Sequence, residues 1–273
     1  MIEGPLCKMR TELNEPIYYY MTFPSVFVCV NDLIGKSISL THTGFSCMSC
    51  GIDQPIFRQG FCKSCFFEMP SAGDWVMRPE LSKAHLDIED RDLTYEKKAQ
   101  LQPHIVYLAV SSGLKVGVTR KTQVPTRWID QGATQAQPIF IVSTRHQSGI
   151  IENMFSKHVA DKTNWRAMLK GNQPPRDLQE ERADLIEDCK LEIEAVTQKH
   201  GKDAIRMIDF PEDTLINYPV LEFPTKVSSH NFEKNPIVSG RLLGIKGQYL
   251  LLDSGVINLR KFGGYEITFS VLE

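Results

Sequence analysis

Residues 104–120 read HIVYLAVSSGLKVGVTR, and this stretch decides the fold of the middle of the chain. Residues 105–110 and 114–119 are short apolar runs rich in β-branched side chains, and the sequence Ser-Ser-Gly joins them. Two such runs on either side of a short loop that contains glycine are typical of a β-hairpin. The stretch therefore predicts two neighbouring antiparallel strands.

The sequence after the hairpin alternates between helix and strand signals. Pro125 stands where helices favour proline, at the first position, and Gly132 ends that helix. Residues 139–143 form a third apolar run, and apolar residues recur at helical spacing after Ser148, which we expect to be the N-cap. Residues 178–196 show the period of one long amphipathic helix. This order predicts a three-stranded antiparallel sheet with helices.

Two regions of different composition flank this central part. Residues 1–100 begin with strand-like runs, continue through a cysteine-rich window and end in a polar connector. Residues 205–273 contain short β-like runs punctuated by glycines, which predicts a small β-barrel or sandwich. We therefore expect an α+β protein of three parts: a β segment with the cysteine module and connector (1–100), a central α/β domain (101–200) and a small all-β domain (205–273).

Four of the seven cysteines fall in one short window as two pairs. The pairs are Cys47-x2-Cys50 and Cys62-x2-Cys65, with eleven residues between them. Two thiolates at this spacing can bind one metal ion through a turn, and two such pairs complete the tetrahedral site typical of structural zinc. A glycine follows the first pair and another precedes the second, where these turns need positive φ.

Disulfide bonds and redox chemistry are the alternatives for these cysteines. Disulfides fit poorly because the sequence shows no export signal and because Cys7, Cys29 and Cys189 would stay scattered and unpaired. A redox CxxC motif needs one pair rather than two. We therefore predict a zinc-ribbon-like module that holds one structural Zn²⁺.

The charge of the chain is unevenly distributed. The net charge of −2 alone argues against a general nucleic-acid coat protein. Residues 101–176, however, hold ten basic and three acidic residues and carry +7, so the rest of the chain carries −9. Such a segment is a candidate surface for an anionic ligand. A solvated face with incidental clustering of charge is the alternative interpretation.

The apolar runs of the sequence are too short for a membrane protein. None reaches the length of about 18 residues that a membrane-spanning helix needs, and the N-terminus has neither the basic flank nor the apolar core of a signal peptide. The composition, 42% hydrophobic and 23% charged, excludes collagen, coiled coil and overall disorder. We expect a cytoplasmic protein with no membrane partner, and the sequence does not indicate an oligomeric state.

Five residues of the central part occur in an order that resembles the GIY-YIG nuclease superfamily. The triplet IVY that ends at Tyr107 corresponds to the GIY motif, and the triplet KVG that begins at Lys115 corresponds to YIG on the partner strand. Arg127 falls on the following helix, Glu152 on the helix after the third strand, and Asn164 twelve residues beyond the glutamate. The predicted order of strands and helices is also that of the superfamily.

The resemblance implies a metal-dependent nucleic-acid phosphodiesterase, with DNA or RNA as its partner. Glu152 would bind one divalent cation, Mg²⁺, which keeps several waters and polarises the scissile phosphate. Tyr107 would orient or deprotonate the attacking water. Arg127 would bind non-bridging phosphate oxygens, Lys115 would add a second cation, and Asn164 completes the set.

The sequence departs from the superfamily at both motifs. Lys115 replaces the tyrosine of the second motif, which removes one group that could place the water, and the leading glycine of the first motif is absent. These departures favour a rival function, a catalytically inactive nucleic-acid-binding or regulatory protein on a decayed nuclease domain. A zinc-stabilised scaffold for protein interactions is a third possibility.

Single residues of the set also have purely structural interpretations. Tyr107 could be a core residue of its strand, Glu152 a solvated flank of its helix, and Asn164 a helix cap. Trp128 and Trp165 could be core or interface aromatics rather than stacking platforms for bases.

A closer resemblance spans nearly the whole chain. The four-cysteine window, residues 106–109 and 115–120, and the run RWIDQGA at 127–133 look like DUF2797, an uncharacterised bacterial family. This resemblance brings a family name without an established activity.

Overall fold

The computed structural model describes residues 1–160 and 162–272. Antiparallel strands and helices both occur in this part of the chain, which confirms the predicted α+β class. The strands are β1 (Ile2–Pro5), β2 (Arg10–Glu12), β3 (Tyr18–Thr22), β4 (Phe27–Cys29), β5 (Ser37–Phe45), β6 (His104–Val110), β7 (Leu114–Arg120), β8 (Gln135–Val142), β9 (Ile205–Met207), β10 (Thr214–Leu215), β11 (Ile237–Lys246), β12 (Tyr249–Leu252), β13 (Gly255–Asn258) and β14 (Tyr265–Leu272).

The helices are α1 (Lys63–Glu68), α2 (Leu93–Gln100), α3 (Thr126–Asp130), α4 (Arg145–Phe155), α5 (Trp165–Met168), α6 (Leu178–Asp188) and α7 (Lys190–His200). Within the described residues, none of these helices has both the length and the apolar character needed to cross a membrane.

The central sheet forms around the predicted hairpin. Strands β6 and β7 pair antiparallel with Tyr107 opposite Gly117, and β8 pairs with the other edge of β6. Two short strands, β9 and β10, both pair with β8 and widen the sheet. The three strands predicted from the sequence are therefore present, in a larger sheet.

Both faces of β6 are buried, and they pack against different neighbours. Val106 and Leu108 lie in one hydrophobic core with Phe155 of α4, whereas Ile105 and Tyr107 lie in a second core with residues of the flanking sheet. Successive side chains of a strand point to opposite faces. Helix α4 therefore covers one face of the central sheet. The opposite face, which carries Tyr107, packs against the flanking sheet.

A second sheet joins the N-terminal and C-terminal parts of the chain. Its strand order is β1-β14-β5-β11-β12-β13, and all its pairs are antiparallel. This differs from the predicted separation of residues 1–100 from a barrel or sandwich at 205–273. Strand β5 supplies the buried Ile38 and Leu40, and Leu40 lies opposite Phe269 of β14 in one shared core. Strands β2, β3 and β4 form a small third sheet.

Two helices differ from their predicted bounds. Helix α4 begins after Thr144 rather than at Ser148, because Thr144 and Gln147 cap it reciprocally with hydrogen bonds of 3.3 and 3.0 Å. Ser148 lies inside the helix, where its hydroxyl donates to the carbonyl oxygen of Arg145. The predicted long helix is interrupted at Cys189, whose φ of −104° and ψ of 11° depart from helical values.

The polar connector between α1 and α2 packs closely against α4. It contains short 3₁₀ turns, one of which spans Pro79–Leu81. Gly149 of α4 lies so near this turn that a Cβ atom there would be 2.4 Å from the backbone nitrogen of Glu80. A side chain at this position would therefore push the connector away from the helix.

We expect Gly149→Ala to lower the free energy of unfolding by about 1–3 kcal/mol, as overpacked interiors do, even though alanine favours helices more than glycine does. Gly113→Ala is the control, because a Cβ atom at Gly113 meets nothing within 4 Å. Urea unfolding of the two variants checks the expectation. Equal unfolding midpoints would show that the connector does not pack on α4 in this way.

Candidate functional site

The four cysteines of the two CxxC pairs converge in the structure. The sulfur atoms of Cys47, Cys50, Cys62 and Cys65 all lie within 4.8 Å of one another, and those of Cys50 and Cys62 are 3.9 Å apart. A tetrahedral site with Zn–S bonds of about 2.3 Å separates its sulfurs by about 3.8 Å. All seven cysteines are free thiols, so no disulfide competes with this arrangement. The cluster could hold a metal ion.

The turns around the cluster place backbone N–H groups near its sulfur atoms, which favours the thiolate form. Gly51 and Gly60 have φ values of 70° and 86°, as the spacing predicted. The backbone N–H of Cys62 donates to the sulfur of Cys47 at 3.3 Å. Burial raises the pKa of Cys47, but backbone N–H groups, those of Cys50 and Cys62 foremost, outweigh burial and lower this pKa to about 6. This lowering favours the thiolate of Cys47, the form that binds metals.

A cleft of about 640 Å³ lies where three parts of the chain meet. Strand β7 and helix α3 form one wall, the connector forms another, and α5 with the β12–β13 hairpin forms the third. Each wall contributes side chains that line the cleft: Arg127 from α3, Trp75 from the connector, Trp165 from α5 and Tyr249 from β12. Segments distant in sequence thus share one concave surface.

Four arginine side chains line this cleft. They are Arg120 at the end of β7, Arg127 of α3, Arg145 at the start of α4 and Arg260 after β13. None of them forms an ion pair with a carboxylate among residues 1–160 and 162–272. Burial lowers the pKa of Arg145 to about 10; Glu152 opposes this shift, and the charges of Arg127 and Arg120 add to it. Clustered, partly desolvated cations of this kind favour an anionic ligand.

Arg145 also joins the connector to α4. Its Nε donates to the carbonyl oxygen of Trp75 at 2.9 Å, and its Nη2 donates to that of Val76 at 2.6 Å. Its guanidinium carbon lies 5.6 Å from the centroid of the Trp75 ring. Arg145 therefore contributes positive charge to the cleft and also holds the connector wall in position.

Tyr107 is fully buried beneath the cleft. Its ring lies across Gly117 of β7, where a Cβ atom would be 2.7 Å from the Tyr107 hydroxyl oxygen. The hydroxyl donates to Oε1 of Gln131 at 2.9 Å, and Nζ of Lys115 donates to the same oxygen at 2.7 Å. Burial raises the pKa of Tyr107 to about 12. The phenol therefore stays protonated at neutral pH and holds Gln131, which lines the cleft.

Glu152 is half-buried on α4 and does not line the cleft. Burial is the main cause of the raised pKa of Tyr107; the charge of Glu152 raises it further, and the charge of Arg127 lowers it. The same carboxylate also acts on the pKa of Arg145. Of the predicted site residues, Arg127 and Lys115 line the cleft, Tyr107 is buried, and Glu152 is half-buried and does not line it.

Asn164 caps helix α5. Its Oδ1 accepts from the backbone N–H of Ala167 at 3.2 Å, and its own N–H donates to the hydroxyl of Ser112 at 2.8 Å. This confirms the structural interpretation of Asn164 as a helix cap. The cap fixes α5, and with it Trp165, against the loop of the hairpin.

Several residues that line the cleft are not among the five site residues predicted from the sequence. Arg120 and Arg145 carried a signal, since both belong to the basic segment 101–176. Arg260 and Tyr249 lie outside that segment and reach the cleft only through the folding of the second sheet.

Comparison with known proteins identifies a family. The family model described as "Protein of unknown function (DUF2797)" matches residues 35–267. Neither the curated proteins nor the solved structures give a match. The resemblance to GIY-YIG nucleases is therefore still a prediction. The matched range covers more than half of the chain, including the cysteine cluster and the central sheet, and the chain belongs to the DUF2797 family.

Proposed function

We propose that this protein is a nucleic-acid phosphodiesterase that binds the phosphate backbone in the arginine-lined cleft. One observation carries the proposal: four arginines share the cleft, and none has a carboxylate ion-pair partner in the described part of the chain. A guanidinium group is a planar fork that matches two phosphate oxygens. A polyanion would therefore relieve the mutual repulsion of these cations.

Hydrolysis of a phosphodiester requires water to attack phosphorus while the bond to the leaving oxygen breaks. Arg127 is suited to stabilise the charge that develops on the non-bridging oxygens, and Lys115, buried beside Gln131, adds positive charge. The buried hydroxyl of Tyr107 donates to Gln131. We therefore assign Tyr107 a positioning role. Because the carbonyl oxygen of Gln131 already accepts from Tyr107 and Lys115, Gln131 contacts the attacking water only through its amide N–H groups. The proton of the attacking water passes to solvent, and the leaving oxygen takes a proton from solvent.

Glu152 is the residue that would hold a catalytic cation. Apart from the cysteine cluster, residues 1–160 and 162–272 contain no group of three metal-binding side chains. A cation at Glu152 would thus depend on water and substrate phosphate for its other ligands. Mg²⁺ binds in this manner, through one or two carboxylates with phosphate oxygens and water. Because Glu152 does not itself line the cleft, the substrate phosphate would have to reach past the cleft lining to share a cation with it. Bound Mg²⁺ would neutralise charge on the scissile phosphate.

We also infer that the cysteine cluster holds a structural Zn²⁺. Four thiolate ligands leave no open position on the metal for water or substrate, which is the arrangement of structural rather than catalytic zinc sites. The spacing and convergence of Cys47, Cys50, Cys62 and Cys65 support this assignment.

Nucleic-acid binding without cleavage is the second candidate function. The burial of the Tyr107 hydroxyl favours it, because a buried phenol cannot accept a proton from water in the cleft. Asp130 does line the cleft, but Lys8 and Gln248 bind its carboxylate. A decayed nuclease domain would keep the cationic cleft while lacking a group that activates water.

The experiment that separates the two candidates is cleavage of labelled DNA and RNA, single- and double-stranded, with and without Mg²⁺. We expect the wild type to cut in Mg²⁺ and Glu152→Gln, which keeps the shape but removes the charge, to lose cleavage and keep binding. Glu187→Gln is the matched control, since Glu187 is exposed on α6. A wild type that binds but cuts none of these substrates would exclude the phosphodiesterase and leave the second candidate.

A further inference from the structure

We propose that the cleft accepts an unpaired strand of nucleic acid and discriminates against a duplex. This inference rests on the proposed function and specifies its substrate class. It is carried by the aromatic side chains that lie among the cleft arginines.

Two aromatic rings are stacked in one wall of the cleft. The rings of Trp165 and Tyr249 have centroids 5.7 Å apart and planes that differ by 7°, and both side chains are half-buried. In a duplex the bases stack on each other and present only their edges in the grooves. Aromatic side chains can stack on a base only when it is unpaired, which is how proteins bind single strands. The pair therefore favours a strand whose bases are free.

A displaceable cation covers the pair on one side. The guanidinium carbon of Arg166 lies 4.2 Å from the centroid of the Trp165 ring. Arg166 is exposed and has no carboxylate ion-pair partner among the residues that the structure describes. An exposed cation–π contact is weak, so a base that stacks on Trp165 can displace this guanidinium.

Groups suited to bind phosphate line the cleft together with the stacked pair. Arg260 and Asn258 line the cleft with Tyr249, and Arg127 lines it from helix α3. Burial lowers the pKa of Arg260, the charge of Arg127 lowers it further, and the charge of Asp130 raises it. The volume of about 640 Å³ falls in the range of about 300–1,000 Å³ typical of small-ligand pockets. That space suits one or two nucleotides rather than a double helix.

Fluorescence anisotropy with labelled 12-mers of dT and rU, and with the corresponding duplexes, tests the inference in the full-length protein without Mg²⁺. We expect wild type to bind a single strand at least tenfold more tightly than its duplex. Trp165→Leu removes the π-face and should weaken single-strand binding about tenfold, whereas Trp165→Phe should retain most of it. Phe210→Ala is the control, because Phe210 is 94% exposed and lies outside the cleft.

The outcomes distinguish the inference from the function on which it rests. Equal affinity for single strand and duplex, or equal binding by Trp165→Leu and Trp165→Phe, would overturn the unpaired-strand inference and leave the proposed function standing. Failure of the wild type to bind any of the four probes would overturn both.

Discussion

Replacing Cys47 with serine is expected to release the metal and to lower the free energy of unfolding by several kcal/mol. The physical reason is that the free energy of binding a structural metal is itself folding free energy. The buried residues of this module's own core are Cys47, Cys62 and Cys65, with Phe61 and Met69 packed against them. So small an apolar core cannot replace the metal.

The measurement is zinc content by mass spectrometry together with urea unfolding of both proteins. Cys29→Ser is the matched control, because Cys29 is a partly exposed thiol of β4 outside the cluster and should leave zinc and stability unchanged. A wild type without metal, or a Cys47→Ser protein as stable as the control, would contradict the zinc assignment.

Loss of the metal should also change the shape of the cleft. Nη1 of Arg91 donates to the carbonyl oxygens of Phe66 and Met69, at 2.7 Å each, and so joins the cysteine module to the connector. Ser71, two residues beyond Met69, already lines the cleft. A disordered module would therefore displace the connector wall.

The double variant Arg127→Ala with Arg260→Ala is expected to weaken binding of a dT 12-mer by about 100-fold or more. Each guanidinium would contribute a hydrogen bond to a charged group, worth about 1.5–3 kcal/mol, and the two face the same cleft. The measurement is fluorescence anisotropy at fixed ionic strength. The effect should exceed that of any single aromatic substitution.

The control for this prediction removes the same charge elsewhere. Lys199 and Lys202 are exposed near the end of α7 and do not line the cleft. Replacing both with alanine lowers the net charge by the same amount as the arginine double variant. Equal loss of affinity in the two double variants would mean that binding depends on overall charge rather than on the cleft.

Local signals predicted the parts of the fold that depend on neighbouring residues. The hairpin predicted at 105–110 and 114–119 forms at His104–Val110 and Leu114–Arg120, because alternation of apolar residues and a glycine loop act over a few positions. The convergence of the four cysteines follows from their spacing for the same reason. Helix α4 shows the limit, since both Thr144 and Ser148 are residues that favour N-caps and only the Thr144–Gln147 pair completes the cap.

Long-range pairing could not be predicted from the sequence. The register of Leu40 opposite Phe269 joins strands from the two ends of the chain, and no local pattern specifies that partner. The same sheet brings Tyr249 and Arg260 to the cleft, so the sequence could not predict that these two side chains line the cleft. The core position of Tyr107 agrees with the structural interpretation of its strand, whereas its hydrogen bond to Gln131 depends on tertiary packing.

The measurement that tests the central claim most directly is the salt dependence of single-strand binding by the wild type and the Arg127/Arg260 double variant. Each phosphate contact contributes about 0.7 to the log–log slope for single strands, so three to five contacts predict a wild-type slope of about −2 to −3.5. Removal of two contacts should make the slope less negative by about 1.4, whereas the Lys199/Lys202 variant should keep the wild-type slope. An arginine double variant with the wild-type slope would show that the arginine-lined cleft does not bind the phosphate backbone.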